Sequence, residues 1–254
     1  MTSPNYCLER SLHIIAPRST VYAFFTDSQR FAAWWGAGSR IDAKPGGAVG
    51  IVYPNGIEAG GEVLEVNDQE RITFSFGYAS GNPVPQGSTR VEVLVEDQDG
   101  GTRLSLGHFF DDEASRDAHQ SGWAHQLAIL ANVAAEEAHS DAEERLDQFF
   151  ELWSESDPAL MESKAQQLLS PDLVYHDRYA CAADRAAFTA HALAAQRFFP
   201  GARVQRQGTV RQCQGQALVD WQVVNEDGQA IATGTNSVCF AGDGKITHVT
   251  SFWN

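Results

Sequence analysis

The feature that most constrains this chain is a change of hydrophobic period that happens twice. Apolar residues first alternate along successive short segments, then recur at helical spacing, and after a polar stretch the order reverses to helices followed by strands. In the first half, strands are expected at 8–16, 48–53, 57–66, 71–78, 89–96 and 102–110, separated by Pro, Gly and Asp-Gly turns such as Pro45-Gly46-Gly47. Val91, Val93 and Val95 share one face of their strand, and Leu104, Leu106, His108 and Phe110 share one face of the next. Ser19 stands where a helix N-cap belongs, a second short helix carries Phe31, Trp34 and Trp35, and Trp123, Leu127, Leu130 and Ala134 form a stripe on a long helix suited to cover a curved sheet.

The stripe lapses at Glu136 to Asp141, where a boundary is placed. A helix over 141–154 then carries Leu146, Phe149, Phe150 and Trp153, and Asp157-Pro158 caps a second helix. Leu173 to Asp177 is a short extended segment, Asp184 caps a third helix with Phe188, His191 and Phe198, and strands follow at 203–213, 216–225, 229–240 and 245–253. Gln214-Gly215, Asp227-Gly228 and Asp243-Gly244 are hairpin signals. Each half therefore reads as α+β, and the 254 residues suit two domains of the usual ~150-residue size.

Charge narrows the partners. A formal charge of −15 with no basic run argues against nucleic acid and anionic membrane surfaces. No apolar stretch approaches the ~18 residues that a membrane span needs, the first residues lack the order of a signal peptide, and a cytoplasmic protein is expected. Cys7, Cys181, Cys213 and Cys239 form no C-x-x-C pair, and His119 and His125 do not share a helix face, so neither a metal site nor a cofactor is expected.

Ile14-Ile15-Ala16-Pro17-Arg18-Ser19-Thr20-Val21-Tyr22, Trp34-Trp35-Gly36, Gly101-Thr102-Arg103-Leu104 and Gly122-Trp123-Ala124-His125-Gln126-Leu127 give the first half, 1–138, a further reading. It resembles the activator-of-heat-shock-protein-90-ATPase-homologue branch of the START-like (SRPBCC) superfamily. That resemblance implies a helix-grip, an antiparallel sheet wrapped on a long C-terminal helix around an apolar cavity. The second half, 141–254, with Tyr175-His176-Asp177, Phe199-Pro200-Gly201, Asp220-Trp221 and Gly234-Thr235-Asn236, is similar to SnoaL-like proteins of the nuclear-transport-factor-2-like superfamily. Here the resemblance implies a cone-shaped α+β barrel with a deep pocket, often dimeric through its sheet. It departs from the cyclases of that group in ending Ser251-Phe252-Trp253-Asn254 and in carrying Asn236 where related chains often have Asp. A carboxamide exchanges no proton near neutral pH, which argues against a general base there.

The candidate acid/base pair is His176 and Asp177, although neighbours on an extended segment face opposite ways and only one can enter a pocket. The same two residues fit a bland reading, with Asp177 closing a turn. Phe149, Trp153, Phe188, Trp221, Asn236 and Trp253 are expected to line the second pocket, and Trp35, His108 and Trp123 the first; aromatics at these spacings equally serve as core, and His108 as a satisfied core histidine. By parity Asp220 faces away from Trp221, toward a dimer partner. The function expected is binding of a small, largely apolar ligand by a homodimer. The rivals are lyase, isomerase or polyketide-cyclase-like chemistry in the second half and a chaperone-linked interaction module in the first.

Overall fold

The computed structural model describes residues 6–254, so most of the segment behind the leader reading lies outside the described residues. Two compact units result, residues 1–137 and 138–254. Each is a mixed α+β structure with one sheet.

The first unit runs β1 (Tyr6–Ile14), α1 (Arg18–Ala23), α2 (Ser28–Trp35), β2 (Arg40–Ile41), β3 (Ala48–Val52), β4 (Glu58–Asn67), β5 (Arg71–Phe76), β6 (Thr89–Gln98), β7 (Gly101–Phe110), α3 (Glu113–Ala118) and α4 (Gln120–Ala138). Its seven strands take the order β1-β7-β6-β5-β4-β3-β2, and every pair is antiparallel. Val91 lies opposite His108, Val93 opposite Leu106 and Val95 opposite Leu104, so the two alternating rows merge into one buried face. Burial of that face, at ~25 cal/mol per Å² of apolar area, is the main drive to form the meander. The α4 residues Trp123, Leu127, Leu130 and Ala134 are all buried, as their spacing predicts. One cap differs from expectation. Helix α1 starts at Arg18 with Pro17 as its N-cap, leaving Ser19 inside the first turn without a capping bond.

The second unit holds α5 (Ala142–Leu152), α6 (Pro158–Leu168), β8 (Leu169–His176), β9 (Cys181–Ala182), α7 (Arg185–Phe198), β10 (Arg203–Cys213), β11 (Gln216–Val224), β12 (Ala230–Phe240) and β13 (Ile246–Trp253). Asp157 accepts from Ala159 N at 2.8 Å, and Asp184 from Ala187 N at 2.7 Å, the two caps read from sequence. The sheet has six strands, in the order β10-β11-β12-β13-β8-β9, where four were expected. The extra pair arises because the extended segment ending at His176 lies parallel to β13, a long-range pairing that no hairpin signal announces. Between Glu136 and Asp141 the polar stretch is no open linker. Its first residues complete α4, and His139 is fully buried, stacked on Phe240 at 5.0 Å.

Candidate functional site

In the first unit, Trp35, His108 and Trp123 come together as the sequence suggests. His108 is fully buried at the end of β7, where Trp123 Nε1–H donates to its Nδ1 at 2.9 Å. Its Nε2 lies 2.8 Å from Thr89 Oγ1, and that hydroxyl donates in turn to the Phe76 carbonyl at 2.7 Å. Nδ1 accepts and the Thr89 proton is already committed, so Nε2 carries the hydrogen and the ring is neutral. Burial, with the neighbouring His119 adding, pushes His108 down to about 2. It therefore orients Trp123 and has no free lone pair for chemistry.

Around it, six rings form a closed loop of neighbours. Trp35 meets Trp123 at 5.5 Å, Trp123 meets His108 at 5.8 Å, and His108 meets His119 at 5.2 Å. His119 meets Tyr78 at 5.7 Å, Tyr78 meets Tyr53 at 6.4 Å, and Tyr53 returns to Trp35 at 5.6 Å. Sequence reasoning missed Tyr53, Tyr78 and His119. The signal was present for the tyrosines, since Tyr53 continues the parity of Val49 and Ile51, and Tyr78 that of Phe74 and Phe76.

In the second unit, Phe149 stacks on Phe188 at 5.5 Å and Trp153 meets Phe188 edge-on at 5.5 Å, while Trp221 and Trp253 meet edge-on at 5.0 Å. Buried Asn236 accepts the Trp221 indole N–H at 2.7 Å. Gly234 makes room for that indole, because a Cβ there would run into the Trp221 ring and the Phe252 carbonyl. The two groups meet through β13. Asn236 lies opposite Ser251 on one side of β13, and Tyr175 lies opposite Val249 on the other.

Of the candidate pair, only Asp177 belongs to this cluster. Its Oδ2 accepts from the Tyr175 hydroxyl at 2.9 Å and its Oδ1 from the backbone N–H groups of Tyr179 and Ala180 at 2.7 and 2.6 Å. Burial first, then the charge of Asp177, raises Tyr175 far above the usual phenol range. His176 is placed elsewhere. It is exposed opposite Thr250 on the outer face of the sheet, because β8 alternates and the buried parity falls to Leu173 and Tyr175. His191 was not assigned to the site, yet it lies 5.7 Å from Trp153 and 6.3 Å from Tyr175. Asp220 is on the outer face as expected, accepting from Thr235 Oγ1 at 2.6 Å. No grouping of metal-binding side chains occurs among the described residues.

With this geometry in hand, comparison with known proteins places the first unit. Residues 15–135 match the family described as activator of Hsp90 ATPase homolog 1-like protein, so this part of the chain is AHSA1-like. An AHSA1-like protein from Rhizobium etli is 33% identical over 51% of this chain and 81% of its own, with a TM-score of 0.40. The Aha1 dimer of Colwellia psychrerythraea is 15% identical over 50% of this chain and 93% of its own, with a TM-score of 0.43. A SnoaL-like family protein from Agrobacterium tumefaciens is 23% identical over 44% of this chain and 95% of its own, with a TM-score of 0.42. No curated protein matches the chain. No helix among the described residues is long and apolar enough to cross a membrane.

Proposed function

We propose that this is a cytoplasmic protein whose two units, a START-like helix-grip domain over 1–138 and a SnoaL-like domain over 141–254, hold small, largely apolar molecules in their interiors. The loop of six rings in the first unit carries the reading, because aromatic walls with a few fixed polar groups are the usual lining of a small-molecule site. The second unit supports it with Phe149, Trp153, Phe188, Trp221 and Trp253 around Asn236. The test is a titration of the full chain with N-phenyl-1-naphthylamine, an apolar fluorophore. Saturable binding is the expected result, and a linear, unsaturable response removes the reading.

A second reading, lyase, isomerase or cyclase chemistry in the C-terminal unit, is favoured by one observation. Asp177 is a carboxylate held in a fixed position by the Tyr175 hydroxyl and two backbone donors, beside a cluster of aromatic rings. In this reading Asp177 takes the proton from carbon next to a carbonyl, and His176 has no part. Incubating 1-tetralone with the chain in deuterium oxide tests it: faster exchange at the carbon beside the carbonyl, lost in Asp177→Asn, is expected, and an unaltered rate removes Asp177 from any such role.

We propose further that the chain is a homodimer through the outer face of the second sheet, where Leu218 and Phe252 are 41% and 59% exposed.

A further inference from the structure

The outer face of the second sheet carries a polar depression of about 500 Å³, lined by Gln207, Gly208, Asp220, Thr233, Gly234 and Asn254. The backbone makes room for it. The pairing of β10 with β11 is interrupted between Gln207 and Arg211, and Gly208 sits in that interruption at φ +68°, with nothing within 4 Å of where a Cβ would stand. Gln207 lies opposite Asp220, Asp220 opposite Thr235 and Thr235 opposite Phe252, so four strands bring one row of side chains to a single face. Phe252, 59% exposed, ends the row.

The hydrogen bonds made within the depression leave a definite remainder. Gln207 donates one amide N–H to Gln222 Oε1 at 2.9 Å and keeps a second N–H and its carbonyl oxygen. Asn254 donates one amide N–H to Thr233 Oγ1 at 3.3 Å and keeps the same two groups, while Thr233 keeps its hydroxyl hydrogen. Asp220 accepts from Thr235 through Oδ1 at 2.6 Å, and its Oδ2 lies 4.0 Å from Arg211, an ion pair too long to be a hydrogen bond. Donors and acceptors are therefore left in equal measure on one concave surface.

A hydroxyl is the neutral group that both donates and accepts through one atom, so a ligand matching this mixture carries several of them. A phosphate or carboxylate would bring no hydrogen to the acceptors and would meet the charge of Asp220, and an ammonium would leave the donors unanswered. The exposed ring of Phe252 adds a flat apolar platform. Hydroxyls around the rim of a ring and C–H groups on its faces describe a pyranose. From Phe252 to Gln207 the row crosses three strand spacings of ~4.8 Å, ~14 Å in all, the length of two or three such rings.

We propose that this face binds a neutral oligosaccharide of two or three pyranose rings, one stacked on Phe252 and the next held by Asp220, Gln207 and Asn254. The site is independent of the interior reading, since Asp220 faces away from buried Trp221. It shares its face with the second copy proposed above, so oligosaccharide and second copy exclude one another, and bound ligand lowers the dimer fraction.

Calorimetric titration of the full chain with cellotriose and with maltotriose tests this, with light scattering on the same samples. His176→Glu, on β8 and outside the depression, provides a chain whose charged outer face no second copy covers. Saturable binding of at least one trisaccharide is expected in that variant, at least as tight as in wild type. Asp220→Ala should weaken it ~10-fold, the worth of one hydrogen bond to a charged group, and Phe252→Ala by a similar factor. Both residues are exposed, so neither change should move the second unit's melting. No saturable binding of either sugar by wild type or His176→Glu overturns the proposal, and so does binding that both Asp220→Ala and Phe252→Ala leave intact. A monomeric wild type that binds supports the oligosaccharide site and removes only the dimer, whereas a dimer that His176→Glu dissociates, with no binding in either form, removes only the oligosaccharide site.

Discussion

Both units surround aromatic rings with a sheet and helices, yet they handle interior polarity in opposite ways. In the first, every polar group named in the ring loop is neutral, and His108 is kept so by burial and by a relay from Trp123 through Thr89 to the Phe76 carbonyl. In the second, a carboxylate is admitted at the margin, where Asp177 is held by three donors. His108, with both nitrogens bonded, has no lone pair left to accept a proton, whereas a fixed carboxylate can accept one. In the function proposed here, the contrast puts recognition in the first unit and any chemistry in the second.

The largest effect should come from cutting the aromatic core of one unit. Trp34 is 2% exposed, donates to the Phe24 carbonyl at 3.0 Å and lies 4.4 Å from Trp35. Trp34→Ala should cost about 3–5 kcal/mol and lower the melting of the first unit, with the second unit's transition left in place. Calorimetry reads this directly. One shared transition moving as a block would break the comparison, since the units would not then be separate cooperative structures.

Next in size is a pH effect confined to the first unit. His108 titrates near 6.5 when unfolded and at about 2 when folded, so between those values the unfolded chain binds the extra proton and acid favours unfolding. The stability it lends is complete above pH 6.5 and declines as pH falls, by roughly 2 kcal/mol at pH 5. His119, also lowered by burial, adds in the same direction. Melting curves at pH 7.5 and 5 should show the loss in wild type and a shallower slope in His108→Gln, which keeps one donor and one acceptor. Equal slopes in the two proteins would mean that His108 is not neutral by burial.

The fold was largely legible because its signals are local. Alternation placed β6 and β7, and the Asp157 and Asp184 caps fixed two helix starts. What was not legible depends on long-range pairing. The parallel partnership of β8 with β13 decides that Tyr175 and Asp177 face inward while His176 faces out, and the local sequence shows only that neighbours diverge. His119 and His125 do not share a helix face, which argues against a metal, whereas the neighbours of His119 are Tyr78 and His108, from other parts of the unit. Its role shows only once those strands are side by side.

A smaller effect should attend the Tyr175–Asp177 bond. Tyr175→Phe removes one of three donors to Asp177 while the two backbone N–H groups remain, so a loss of about 1 kcal/mol is expected in the second unit's melting. The fall should vanish in an Asp177→Ala background, since a double-mutant cycle isolates the pair. A full effect persisting there would show that Tyr175 acts through its packing on Phe188, 5.1 Å away, instead.

The least disruptive change should be on the outer face of the second sheet. Asp220, Thr235 and Phe252 lie in one row across three strands, and Leu218, Ser237, Thr250 and His176 in the next. Each row mixes an exposed apolar residue with hydroxyl groups, a composition that suits a flat interface between two copies better than it suits water alone. Phe252→Glu puts a charge on that face without touching the buried one, so the second unit should melt within ~0.5 kcal/mol of wild type. Light scattering should then fall from twice 27.7 kDa to 27.7 kDa. A wild-type chain that is already monomeric at all concentrations would instead leave Phe252 and His176 as solvent-facing residues, and the second unit would close its pocket alone.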